Sequence, residues 1–198
     1  MRQAVRFATL FLLLPLLGCR SGTMPAPAQQ TPFAPPLHGQ VACQECRVLY
    51  FDGNKVREAI RSADRYTIPA AHLPLVLFVA GPRQVPQMAW VRDVAPAPIQ
   101  LARSDDPRLG YLAGVVLKVQ AGGKERSRRV LEPVADAEVV IALGRGRQVA
   151  STDKEGRFQM VLPANSYEVL VEGQRWEVTV PAGDAAFLPA VTSTTLVD

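Results

Sequence analysis

The chain has 198 residues and a formal charge of +4, of which three arginines at its start (Arg2, Arg6, Arg20) supply +3. The rest is close to neutral: residues 37–108 hold nine Lys/Arg against seven Asp/Glu, and residues 109–198 hold ten against eleven. That spread excludes the concentrated positive footprint of a nucleic-acid-binding protein, so no nucleic-acid partner is expected. Seventeen prolines and fourteen glycines punctuate short apolar runs, which is the pattern of an all-β chain with frequent turns.

The first element is an apolar stretch over residues 7–17, behind Arg2 and Arg6. A spanning helix needs about 20 apolar residues, so this shorter stretch reads as a secretory signal. It ends Leu16-Leu17-Gly18-Cys19. An ordinary cleavage site wants small residues at two positions, whereas leucines fill the places ahead of Gly18. The pattern resembles the bacterial lipoprotein box. That resemblance implies removal of residues 1–18, a diacylglyceryl group on the Cys19 thiol and an acylated, palmitate-type membrane anchor. The expected location is the bacterial cell envelope, with the lipid bilayer as one partner. Arg20 follows the cysteine where an aspartate would favour the inner membrane, which points to the outer one.

Residues 19–36 continue as the lipidated cysteine and a tether. The tether holds Pro25, Pro27, Pro32, Pro35 and Pro36 and has no apolar periodicity, so it cannot bury a core. Proline-rich chain extends about 3.1 Å per residue and would lift the remainder off the membrane.

Within residues 37–108 the predicted strands are 46–51, 65–70, 75–79, 88–91 and 99–101. Val56, Ile60 and Ala63 fall instead at helical spacing, with Glu58-Ala59 favouring a helix. Residues 104–110, rich in charge and turn formers, read as a hinge. Within residues 109–198 strands are predicted at 111–119, 138–143, 147–152, 157–162, 167–171, around 176–180 and at 191–197. A polar loop at 120–129 and turns at 144–146, 153–156, 163–166 and 173–174 separate them. Seven short strands at this turn spacing indicate a β-sandwich.

Gly114-Val115-Val116, the run 133–139 (PVADAEV), the run 152–158 (TDKEGRF), Leu162-Pro163 and the run 167–171 (YEVLV) together resemble the carboxypeptidase regulatory-like domain. This resemblance implies a prealbumin-like, seven-stranded Greek-key sandwich and no peptidase activity, because the module is only the companion of a catalytic domain. In its turn motif, Asp153 can accept bonds from nearby backbone N–H groups, Gly156 can take positive φ, and Phe158 can turn inward. A hairpin turn accounts for the motif more simply than a cation held by Asp153 and Glu155.

Residues 37–108 read as a degenerate copy of that unit. Residues 46–51 precede 138–143 by 92 positions, 79–81 precede 171–173 by the same 92, and 65–70 match 157–164 with a two-residue gap. The fold class is therefore all-β, with one or two small sandwiches after the signal and tether. The alternative is one larger sandwich with an irregular first sheet.

Few residues carry chemistry. Cys43-Gln44-Glu45-Cys46 in an exported chain is most simply a disulfide. A redox pair would sit at a helix N-terminus, but an apolar β-type run follows. A metal site with His38 lacks a clear fourth ligand. His38 and His72 are the only histidines, and no hydrolase motif occurs. Lys124, Arg126, Arg128 and Arg129 form a basic loop able to contact an anionic surface. Trp176 shares a face with Val178 and Val180 and reads as core; Trp90 is a candidate carbohydrate platform. No catalytic residue, cofactor or metal is expected. The sequence indicates a non-enzymatic envelope lipoprotein that acts as a structural or protein-interaction module with an envelope protein as partner. A glycan- or small-ligand-binding lipoprotein and a thiol–disulfide helper using Cys43 and Cys46 are the alternatives.

Overall fold

The computed structural model describes residues 34–92, 97–122 and 129–197. These residues form fifteen strands and no helix, so the chain is all-β as its turn spacing indicates. The first seven strands are β1 (Leu37–Gln40), β2 (Arg47–Phe51), β3 (Val56–Glu58), β4 (Ile60–Ser62), β5 (Arg65–Ile68), β6 (Leu75–Ala80) and β7 (Gln87–Val91). Eight follow: β8 (Leu109–Gly122), β9 (Arg129–Pro133), β10 (Glu138–Leu143), β11 (Gly146–Ser151), β12 (Arg157–Pro163), β13 (Asn165–Val171), β14 (Gln174–Val180) and β15 (Ala185–Val197).

They build four sheets. Strands β1-β5-β4 form the first and β3-β2-β6-β7 the second. The third is β12-β8-β15, with β9 continuing the β12 edge of the long β8; the fourth is β11-β10-β13-β14. The two halves repeat one connectivity. β2 pairs with β3 and β6 as β10 pairs with β11 and β13, and β1 pairs with β5 as β8 pairs with β12. The last strand of the second half, β15, runs parallel to β8, and a parallel bridge from Ile99 to Val41 takes that place in the first half.

Burial shows how the layers stack. One core lies between the first and second sheets, with Leu37, Tyr66 and Ile68 against Val48, Tyr50, Leu75, Leu77 and Val79. Another lies between the third and fourth, with Leu112, Val116, Phe158, Leu162 and Leu188 against Val139, Ile141, Tyr167, Val169 and Val171. Between these a seam joins the second sheet to the third. Phe51, Val76, Phe78 and Ala80 meet Tyr111, Ala113, Val115, Leu117 and Ala185 there, and Phe78 stacks on Phe187 with centroids 4.8 Å apart. β6 and the first part of β8 are thus covered on both faces. That is why they read as continuous apolar runs and not as alternating ones; all six residues of β6 are buried.

Two expectations are corrected. The helical spacing of Val56, Ile60 and Ala63 does not produce a helix: β3 and β4 occupy this stretch. Val56 and Ile60 face solvent at 39% and 62% exposure, and Ala59 between them is the buried residue. With no apolar face to bury, the spacing has nothing to drive a helix. Residues 104–110, expected as a hinge, are bonded to both halves. Ser104 N–H donates to Arg83 O, the Tyr111 hydroxyl to Ser104 Oγ, and Gly183 N–H to Leu109 O.

Tyr66 is buried on the first sheet, paired across strands with Gly39. Its ring lies over the place a Cβ at position 39 would occupy, so this glycine makes room for it. The Tyr66 hydroxyl has no hydrogen-bond partner among the described residues, and burial pushes its pKa up to about 12. The neutral phenol is the form the fold favours. Its contribution is therefore complete below the unfolded pKa of about 10 and is lost as pH rises toward 12. Tyr66→Phe is expected to melt at or above the wild-type temperature, gaining up to about 1 kcal/mol by removing an unpaired buried hydroxyl. It should also abolish the latest step of an alkaline absorbance titration. A lower melting temperature would mean that the hydroxyl has a partner.

Candidate functional site

The Cys43–Cys46 pair lies in the loop between β1 and β2. The two cysteines are disulfide-bonded with Cα atoms 5.6 Å apart. Cys46 is buried and packs on Gly81, where a Cβ would lie 2.7 Å from Sγ. Arg61 on β4 reaches under this loop. Its guanidinium donates to Cys46 O at 2.5 Å, to Cys43 O at 2.8 Å and to Ala63 O. One cation thus gathers two carbonyls of this irregular loop and one of the turn after β4, which satisfies the backbone. The loop, Glu58, Arg61 and Asp64 border an open depression of about 540 Å³. The residue after the loop starts the strand β2, so no helix N-terminus faces either sulfur.

The turn residues 152–158 do not close a hairpin. β11 belongs to the fourth sheet and β12 to the third, so this segment carries the chain from one layer to the next. Thr152 is buried. Its hydroxyl donates to Val134 O at 2.6 Å and accepts from Ala137 N–H at 2.9 Å. Asp153 Oδ1 accepts from the N–H groups of Glu155 and Arg157, both at 2.9 Å, while Oδ2 takes the Arg157 guanidinium at 2.9 Å. Glu155 pairs with the same guanidinium at 2.8 Å. Both carboxylates are thereby engaged by Arg157. Gly156 has φ +71° and approaches Val116 O, to which a Cβ would come within 2.6 Å. Phe158 is buried in the second sandwich core.

Partial burial works to raise the Asp153 carboxyl pKa. Bonds from the Arg157 N–H, its guanidinium and the Glu155 N–H outweigh that and hold the group below its ordinary 3.8. A depressed pKa contributes stability that is present above the unfolded value and lost as pH falls through the folded one. Asp153→Asn is therefore expected to lower the melting temperature at neutral pH and to flatten its decline below about pH 4. Thermal melts across pH check this; an unchanged acid slope would assign the acid sensitivity to other carboxylates.

The same turn touches the first half. Trp90 Nε1 donates to Glu155 O at 3.0 Å and packs into the seam. A candidate carbohydrate platform in the sequence, it serves as a pin between sandwiches. Arg47 does likewise, donating to Asp184 Oδ2 and Ala185 O, both at 3.0 Å. Trp176 packs against the second core. His38 shares a 3.0 Å hydrogen bond with Thr67 Oγ1, and His72 is exposed. Among the described residues no three His, Cys, Asp or Glu gather to hold a metal. Cys19, Lys124, Arg126 and Arg128 lie outside the described residues, and Arg129 begins β9.

No local signal marks Arg61. It follows an exposed Ile60 in a three-residue strand, and only the fold brings it beneath a loop fifteen to eighteen positions earlier.

No family model matches the chain, and no curated protein matches it. Solved structures similar to the chain include the following three. A minor pilin of the Gram-positive pathogen Streptococcus agalactiae shares 13% identity over 80% of this chain and 84% of that one, with a TM-score of 0.34. The TIE protein of Bacillus anthracis shares 9% over 81% of this chain and 34% of that one, with a TM-score of 0.27. A fimbrial protein from Bacteroides ovatus shares 6% over 84% of this chain and 46% of that one, with a TM-score of 0.29. The chain therefore spans about a third of the second and about half of the third.

Proposed function

We propose that this chain is a lipid-anchored protein of the bacterial envelope, acting as a non-catalytic structural or protein-interaction module. In this reading Cys19 carries the lipid, residues 20–36 are the leash, and residues 37–108 and 109–198 are two copies of one sandwich unit related to the carboxypeptidase regulatory-like domain. The observation that carries the reading is the seam. The second and third sheets spend their facing apolar surfaces on each other, and Arg47, Trp90 and Arg157 bolt the contact with bonds to Asp184, Glu155 and Met88. Two sandwiches held this way form one stiff body, suited to presenting a surface at a distance from a membrane. Arg61 and the buried Cys46 support a clamping role for the disulfide rather than turnover.

The test of the anchor is fractionation. Wild-type protein is expected in the membrane pellet, resistant to high salt and released by detergent. Cys19→Ser is expected in the soluble fraction, with the mass of attached acyl chains gone from the N-terminal peptide. Membrane retention of Cys19→Ser would overturn the lipid assignment.

A further inference from the structure

The fourth sheet ends in β11, a six-residue strand with a neighbour on one side only. Edge strands are usually guarded by charged side chains, proline, inward-pointing charge or a covering segment. β11 carries one charge, Arg147 on its outer face, and among the described residues it has no proline, inward-pointing charge or covering strand. Its inward residues are Gly146, Gln148 and Ala150, and Val149 on its outer face is 59% exposed.

Its hydrogen-bonding pattern follows from the turn that precedes it. β10 and β11 are joined by Gly144-Arg145, with Leu143 opposite Gly146 and φ +56° at Gly144. In a two-residue hairpin the closing pair exchanges both backbone bonds, and bonded pairs alternate from there. Gly146, Gln148 and Ala150 therefore bond to β10. Arg147, Val149 and Ser151 turn their N–H and C=O groups outward, with no strand beside them among the described residues.

We propose that β11 is a self-pairing edge through which two copies of this chain join their fourth sheets, antiparallel and centred on Val149. In that register Val149 faces Val149 of the second copy, and Arg147 faces Ser151. All three outward residues on each strand are satisfied. The side chains agree with the backbone. Val149 lies opposite Val140 on β10, so the central row across the joint is Val140-Val149-Val149-Val140. Glu138 lies opposite Ser151, so each flanking row brings Arg147 of one copy toward Glu138 of the other across the small Ser151. Neither Arg147 nor Glu138 has an ion-pair partner among the described residues. Centring the pairing on Arg147 instead would set the two arginines face to face. The sheet's other edge, β14, carries Arg175, already paired with Glu168, and Glu177. A patch complementary to itself about a two-fold axis is what an isologous dimer needs. Self-pairing at β11 does not require a lipid on Cys19.

The test reads register. It uses the full-length chain with Cys19→Ser, so that an introduced cysteine is the free thiol beside the Cys43–Cys46 disulfide. Under mild oxidation Val149→Cys is expected to give a disulfide-linked dimer, the facing pair falling within bridging distance. Arg147→Cys and Ser151→Cys should each stay monomeric alone and link when mixed, and Gln148→Cys should not link. Failure of Val149→Cys to link, or equal self-linking of Arg147→Cys, would overturn the proposal. Light scattering of the wild-type chain over a concentration series provides a second measurement. Val149→Lys, at an exposed position, should keep its melting temperature and self-associate at least tenfold more weakly. Arg147→Glu should weaken association, and Arg147→Glu with Glu138→Arg should restore it. Unchanged association in Val149→Lys, or association with a heterologous protein alone, would rule out the homodimer.

Discussion

Phe78→Ala is expected to destabilise the protein by about 3–5 kcal/mol, the range for truncating a fully enclosed aromatic ring. Phe78 is 0% exposed, lies on β6 and stacks on Phe187 of β15 with an interplanar angle of 10°. Its loss would leave a void in the seam that strands fixed on both faces cannot close. The effect should greatly exceed that of Val161→Ala, where the side chain is 50% exposed; substitutions at such positions typically stay within about 0.5 kcal/mol. Urea melts of the two variants decide the matter. A Phe78→Ala variant as stable as Val161→Ala would show that the two sandwiches contribute little to one another.

Gly156→Ala is the second large effect. Gly156 and Gly144 both have positive φ, at +71° and +56°, so alanine at either site meets a backbone penalty of about 1–2 kcal/mol. Their surroundings differ. Nothing lies within 4 Å of a Cβ at Gly144, whereas one at Gly156 would come within 2.6 Å of Val116 O and within 3.1 Å of Pro133 Cβ and Val134 N. The Gly156 carbonyl also accepts from Val116 N–H at 2.8 Å, so a shift to relieve the contact breaks a bond between the turn and β8. Gly144→Ala is expected to cost about 1 kcal/mol, and Gly156→Ala at least about 3 kcal/mol when strain and displacement are combined. Equal losses would mean that the turn yields freely.

Much of the second half was legible because each strand carries its own boundary marks. The expected bounds of 138–143 coincide with β10, and those of 157–162, 167–171 and 176–180 lie within a residue or two of β12, β13 and β14, since alternation and glycine turns are local signals. What failed was non-local. β9 was hidden at the end of a loop read as polar, because its partner lies along the far part of β8. The crossover at 152–158 looks like a hairpin in sequence, since a turn with Asp and Gly serves either purpose; only the separate sheet membership of β11 and β12 distinguishes them. The apolar runs at 75–79 and 111–119 predict strands, but not that each is covered by a different sheet on each side. In the first half, Val56, Ile60 and Ala63 imitated helical spacing because β3 and β4 are too short to show alternation. At the cysteines, the disulfide could be anticipated from their spacing and export. The arginine beneath them could not.

The parallel pairing of β8 with β15 has a mechanical consequence. Tyr111 to Gly122 runs beside Ala185 to Val197 in the same direction, with a single irregularity near Thr192. Tension applied between residue 109 and residue 197 pulls the two strands along their axes in opposite senses. Every crosslink in the ladder then bears load together, in shear, instead of opening one after another like a zip. A body with this geometry resists stretching from end to end far better than it resists peeling.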